Sequence, residues 1–465
     1  MKWLEDENGL QYTVTSSQSI KKFTEVVSAY MGFEIDTGKR LKQLLIIDPK
    51  MPMALCTKGY FAMLMGNANF TDKAIITSQQ LNDIVKNVSV SPREHQHAAA
   101  LSLWACRDLE KAAIIWEQIL LQYPLDGLAA RLAHFAHFYS GNGRQMRDSA
   151  ARLVPYWPQT HPDFGFVLGM YAFGLEEADS YREAEKYGRW AVEINPKDIW
   201  SAHAVAHVME MMGRKREGIK WIKKLEPNWI TVNNFRHHLC WHQCLYHLEL
   251  GDFQEVLKIY DEKIVSDLNA DFYLDVCNAS SLLWRLEILG VEIGERWHSL
   301  QHISAQHIGD MELIFVSLHY LMVLSASGKT DLVNEMITNI RHWSTLDTSQ
   351  SKIVADVGLS IAKGLHYARK NELYLAIEKI EQVRGKIEAI GGSKAQLDVF
   401  DMILLDAVQK SDMNQKASDL FAERVRKKPH SFWSWKGYSR ALSELGKTEA
   451  AEDALRRSQR IIEDY

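Results

Sequence analysis

Proline and glycine are sparse in this chain, 10 and 26 among 465 residues, so helix breakers and tight turns are few. Alternating runs of β-branched residues are also few, which leaves helix as the expected local structure and all-α as the fold class. The five cysteines, Cys56, Cys106, Cys240, Cys244 and Cys277, form no CxxC pair. That excludes a disulfide framework and a thiolate zinc ribbon, and it points to a reducing, cytoplasmic setting. No apolar run approaches the roughly 18 residues of a membrane span. The start, Met1 to Tyr12, carries Glu5, Asp6 and Glu7 where a secretory signal would carry cations and an apolar stretch. Excess charge of one sign is missing too, with 54 Lys and Arg against 59 Asp and Glu and a formal net charge of -5. Without a basic footprint, neither nucleic acid nor a membrane surface is an expected partner.

What the chain has is periodicity. At 465 residues it exceeds the usual size of one hydrophobic core, so it is either several domains or an array that grows by repetition. In "YREAEKYGRWAVEINPKD", Tyr181 to Asp198, the small residues Ala184 and Ala191 precede Pro196 at the spacing of a repeated helix pair. The same register places turns at Arg107, Gly143, Asp179, Gly213, Gly251, Gly290, Gly328, Asn371, Asp412 and Gly446. These intervals lie near the ~34 residues of the tetratricopeptide repeat, which the pattern resembles. The expectation is a tetratricopeptide-like α-α superhelix of roughly ten hairpins. Residues 1–90 are read as an irregular helical cap continuous with an array over 91–465. The units near Gly290 and between Gly328 and Asp412 are longer and fit least well.

That resemblance implies that the first helix of each hairpin lines a concave groove, with positions 2, 5, 6, 9 and 12 facing it. With the turn at Gly213, His203, His207 and Glu210 fall at positions 5, 9 and 12 of "SAHAVAHVMEMM". With the turn at Gly251, His238, Trp241 and His242 fall at positions 2, 5 and 6 of the next unit. His319 takes position 6 further on, His134 does so if its turn is Gly143, and His97 takes position 5 of an earlier unit. Cys240 and Cys244 face the neighbouring helix and are read as core.

Imidazoles at i and i+4 chelate transition metals, so two such pairs with a carboxylate would suit zinc or iron. They also serve as general acids or bases without a metal. The plainer reading is that each fills space or hydrogen-bonds in a wet groove. HxxxHxxE is far less specific than the HExxH metalloprotease signature. Trp241 is the one tryptophan that the register aims inward, where it would stack on a ligand ring or cation; Trp190, Trp200, Trp221, Trp229 and Trp284 are read as wedges between helices. In "GGSKAQLDVF", Gly391 to Phe400, Ser393 caps a helix, and Gln396 and Asp398 are placed near the groove rim. Asp275, Arg285 and Asp356 are expected to form ion pairs between repeats.

Five stretches, "QMRDSAARLVPYW", "HAVAHVMEM", "HLCWHQCLYHLELGDF", "ADVGL" and "GGSKAQLDVF", resemble the tetratricopeptide repeat protein 38 family. The likeness runs from about Pro92 through Asp412. It implies a shared polar set of His134, His203, His207, Glu210, His238, Trp241, His242, His319, Gln396 and Asp398, but no settled biochemical role. His137 and His247 lie outside that set. Two functional expectations follow. One is a His- and Trp-lined concave pocket that binds a small polar ligand or a peptide segment. The alternative is a metal-assisted or histidine acid/base enzyme, hydrolase-like, acting on a small polar substrate through His203, His207, Glu210, His238 and His242.

Overall fold

In the computed structural model, which describes residues 1–463, helices pair into antiparallel hairpins that stack as a tetratricopeptide-like superhelix. Nine of the ten expected turn residues adopt positive φ, from Arg107 (63°) through Gly446 (72°). Glycine, asparagine and aspartate tolerate this left-handed region best, which is why they were legible as punctuation. The tenth turn falls two residues early. Gly141 has φ 65°, while Gly143 is already the first residue of helix Gly143–Leu153. Gly141 is needed for a second reason, since a Cβ there would stand 2.0 Å from the Glu388 carbonyl oxygen.

That contact belongs to a larger pattern, in which the superhelix winds until later hairpins seat on earlier ones. The Ala68 amide donates to Asp310 Oδ1 (3.0 Å) and Thr71 Oγ1 to Glu312 Oε1 (3.0 Å). Arg107 Nη2 also reaches Glu312 Oε1 (3.1 Å), the Leu109 amide donates to Ser349 Oγ (3.1 Å), and Lys394 pairs with Asp179 (2.5 Å). These partners are 205 to 242 residues apart in sequence. The array is therefore coiled tightly about a central hollow.

Within residues 1–90, read as an irregular helical cap, four helices between Ser17 and Asn87 follow an antiparallel hairpin of strands Lys2–Glu5 and Gln11–Val14 that is absent from that expectation. Asp6 Oδ1 accepts from the amides of Asn8 and Leu10 (both 2.9 Å) and Gly9 takes φ 72°, so the turn chemistry is local. Further on, the Ile35 amide donates to the Thr231 carbonyl and the Asn233 amide to the Phe33 carbonyl, both at 2.9 Å. This pins the Phe33 loop across the hollow. Among the described residues no helix is long and apolar enough to cross a membrane. Cys240 and Cys244 are buried with free thiols, as core residues.

Candidate functional site

Asp198 starts helix Ile199–Met211: its Oδ1 accepts from the amides of Trp200 and Ser201 (3.1 and 3.2 Å), and its Oδ2 from the Ser201 hydroxyl. This cap sets where the helix begins and so which side chains face inward. His203 and His207, one turn apart, share that face, and their Nε2 atoms meet at 2.9 Å. Helix Phe235–Glu249 presents His238 and His242 in the same way. Ring centroids are 5.0 Å apart for His203–His238 and His203–His242, and 4.3 Å for His207–His242. One ring nitrogen from each of the four lies within 4.8 Å of the others. None of the four residues is more than 3% exposed.

Outside this knot stands a ring of hydrogen-bond partners. His242 Nδ1–H donates to Glu210 Oε2 (2.9 Å) and His238 Nδ1–H to Asn278 Oδ1 (2.8 Å). His207 Nδ1 lies 3.5 Å from Glu176 Oε2, too far for a good hydrogen bond. Among the described residues several buried polar atoms here lack a hydrogen bond of normal geometry: His203 Nδ1, His207 Nδ1, His242 Nε2, Asn278 Nδ2 and the Glu176 oxygens. A buried donor or acceptor left unmatched costs about 1–3 kcal/mol, so such a concentration in one place singles the cluster out as the candidate site. Burial first, and the repulsion of neighbouring imidazoles second, push the basicity of His203, His207 and His238 well below the usual range. These three rings are therefore neutral at neutral pH, with lone pairs available. Burial and the adjacent Glu177 likewise push the Glu176 carboxyl well up, while Glu177 itself is pushed up to about 7 by burial.

His203 and His238 also form part of the wall of a chamber of about 380 Å³ in the central hollow. Most of the remaining wall is aromatic or aliphatic, with Phe33, Trp200, Phe235, Phe315 and Tyr273 prominent, and Gln396, Asn233 and Glu34 among the few polar groups. Phe33 stacks on Trp200 (5.6 Å, 14°) and on Phe235 (4.8 Å, 29°), so the pinned loop closes one side. A His- and Trp-lined pocket for a small polar ligand is the expectation; the wall is chiefly apolar because Phe61, Phe135, Trp200, Phe235 and Phe315, from five different helices, converge on it.

Several anticipated site residues lie elsewhere. His134 is buried among Phe173 and Trp200 and does not line the chamber. Moving its turn from Gly143 to Gly141 shifts it from the inward position 6 to position 8, which faces neighbouring helices. His319 donates Nδ1–H to the Phe315 carbonyl (2.7 Å) and packs on Phe400, behind the wall. Trp241 lies flat against His238 (5.1 Å, 12°) and donates to Ser281 Oγ (3.2 Å), so it backs an imidazole instead of meeting a ligand. Asp398 is bound to Arg424 (2.8 Å) and Lys428 (2.9 Å) away from the chamber. Gln396 does reach the chamber wall while completing the capping box with Ser393. Of the ion pairs expected of Asp275, Arg285 and Asp356, the one contact with a titratable partner among the described residues is that of Asp275 with buried His237 on the neighbouring hairpin (3.1 Å). Asp275 accepts from His237 and Asn234, Arg285 donates to the Ser281 and Ala395 carbonyls, and Asp356 is exposed. His137 and His247, left out of the set, pair with Glu117 and Asp252.

Glu176, Asn278, Trp200 and the Phe33 loop were missed as site residues. Glu176 was reachable, since with the turn at Asp179 it occupies position 12, the place that Glu210 holds one hairpin later.

No protein-family model matches the chain. Among solved structures, a human IFIT1 dimer with m7Gppp-AAAA is similar at 11% identity and a TM-score of 0.40, covering 98% of this chain and 96% of that one. A monomeric IFIT1 mutant with Gppp-AAAA gives 12% identity, a TM-score of 0.38 and coverage of 97% and 96%. Naa15/Naa10 bound to HypK-THB gives 12% identity and a TM-score of 0.25, over 95% of this chain and 68% of that one. At these scores the fold rests on the chain's own coordinates, and the RNA and protein partners remain properties of those proteins.

Proposed function

We propose that this protein binds one small organic molecule in the central chamber, an apolar or aromatic body whose polar group reaches His203 and His238. The observation that carries the reading is the chamber itself, about 380 Å³ of mostly apolar wall with two neutral imidazoles on one side. Sites of this size and composition suit drug-sized ligands. A peptide segment is a poorer fit because the Phe33 loop lies across the groove, and nucleic acid is a poorer one because no Lys or Arg lines the chamber. In this reading residues 1–90 act as cap and lid to the array over 91–465, and the fine family resemblance to tetratricopeptide repeat protein 38 extends to the histidine set.

Catalysis is the second reading, and one contact favours it. Asn278 Oδ1 accepts from His238 Nδ1–H, which leaves Nε2 as the basic nitrogen of a ring on the chamber wall. An imidazole held in that tautomer offers a bare Nε2 to a bound substrate, and because burial lowers its basicity it would serve as a base only towards an acidic proton. Calorimetric titration with 2-naphthol, a planar apolar probe with one hydroxyl, tests the binding reading. Saturable 1:1 binding that weakens at least tenfold in Trp200→Ala supports it. Absence of binding by 2-naphthol and by a panel of similar-sized apolar alcohols and acids would overturn it.

A further inference from the structure

We infer that His203, His207, His238 and His242 together hold one divalent first-row transition-metal ion, zinc or ferrous iron, at the inner end of the chamber. The inference deepens the binding reading above and stands on separate observations.

The first is the donor set. Four buried imidazoles from two adjacent helices offer nitrogens 2.9 Å apart for the closest hydrogen-bonded pair and within 4.8 Å for the whole group. Bonds of about 2.1 Å at tetrahedral angles put ligand nitrogens about 3.4 Å apart, inside that span. Imidazole is a good ligand for both ions, and the absence of hard oxygen donors in the inner set disfavours calcium and magnesium.

The second is the outer ring. A metal-bound imidazole normally donates its remote N–H to a carboxylate or amide oxygen, which fixes the ring and raises its donor strength. Here His242 Nδ1–H already donates to Glu210 and His238 Nδ1–H to Asn278. His207 Nδ1 faces Glu176 at 3.5 Å.

The third is what is left unmatched. His242 Nε2, His207 Nδ1 and the Glu176 oxygens are buried without a hydrogen bond of normal geometry. An ion bound by the Nε2 atoms supplies the missing partner of His242. It also obliges His207 to carry its proton on Nδ1, where a small ring movement delivers it to Glu176. Four imidazoles without a cation must instead share one Nε2–H between His203 and His207 and leave the rest bare. The Glu210 carboxylate beside His242 favours a cation there. Because His203 and His238 lie on the chamber wall, a ligand atom or water on that side would add a fifth ligand.

Elemental analysis of the purified full-length chain should find close to one zinc or iron per molecule. After chelation, one equivalent of Zn2+, or of Fe2+ without oxygen, should be taken up again, and Co2+ should give a d–d spectrum of nitrogen ligation. His207→Gln and His242→Gln should each lower stoichiometry below about a tenth while far-UV circular dichroism stays helical. Glu210→Gln should bind metal about 10- to 100-fold more weakly, as outer partners do. If a variant fails to fold, the Co2+ spectrum and X-ray absorption of the wild type decide the ligand set. Less than a tenth of an equivalent of any of the three ions on the wild type overturns the inference, as does metal retained in full by both histidine variants. Binding of 2-naphthol to the chelated protein separates the two readings. Probe bound without metal uptake removes the ion and leaves the chamber, whereas metal uptake without probe binding does the reverse.

Discussion

Two buried histidine sites occupy equivalent places in different repeats, and they are finished differently. His97 and His203 both take position 5 of a first helix. Around His97 the polar groups largely close upon one another, with Arg93 Nε left over: the His97 Nε2 meets Asp126 (3.0 Å), its Nδ1 lies 3.2 Å from the Tyr60 hydroxyl, and Arg93 donates to the same Asp126 oxygen (2.7 Å). Around His203 the partners run out, and unmatched nitrogens and carboxylate oxygens accumulate. Burial of histidine is thus uninformative by itself. Whether the surrounding lone pairs and protons balance separates a structural network from a site that awaits something.

The largest effect should come from breaking the balanced network. Asp126→Ala strands the buried Arg93 guanidinium and removes the cap on the Ala129 amide, so urea denaturation should show a loss of about 3–5 kcal/mol. The same carboxyl gives a pH signature. Burial alone would raise it, but His97 and Arg93 outweigh burial and hold it well below the usual carboxylate range. The unfolded chain then binds that proton more readily than the folded one. The contribution is in place above an ordinary aspartate pKa of about 4 and is lost as the pH falls below it. Wild type should lose stability over that acid range more steeply than Asp126→Ala, as judged by denaturation midpoints from pH 6 to 3.

A step smaller is His97→Leu, which removes the ring but leaves Asp126 and Tyr60 underpartnered; about 2–3 kcal/mol is expected from the same melts. Phe33→Ala, half-buried and stacked on two rings, should cost about 2 kcal/mol and weaken 2-naphthol binding about tenfold. The smallest change is the sharpest test of the contrast. In chelated protein His207→Leu should shift stability by less than about 1 kcal/mol, because little hydrogen bonding is lost with the ring. A loss as large as that of His97→Leu would show the central cluster to be as structural as the outer one.

The sequence made the repeat legible because its turns need a left-handed residue, and nine of them carry one at the anticipated place. The miss at "GNG" shows how finely this must be read: choosing Gly143 over Gly141 moved His134 from a neighbour-facing position to the groove. The convergence of His203, His207, His238 and His242 was readable since it depends only on two adjacent helices of known phase. The aromatic wall was not readable. Phe33 meets Trp200 across more than a third of the chain, and no local pattern announces that a loop will lie across the hollow. Asn278 was hidden for another reason, as it sits in the long unit turned at Gly290, where the register is loosest.

The seating of later hairpins on earlier ones has a consequence for synthesis. A ribosome releases Tyr30 and Phe33 long before Phe315, Gly391 and Gln396, all of which contribute to one wall. Early helices can pair with their neighbours as they emerge, yet Ala68, Thr71 and Leu109 must wait for Asp310, Glu312 and Ser349. The central chamber is thus among the last features that a growing chain can complete, however early its histidines appear.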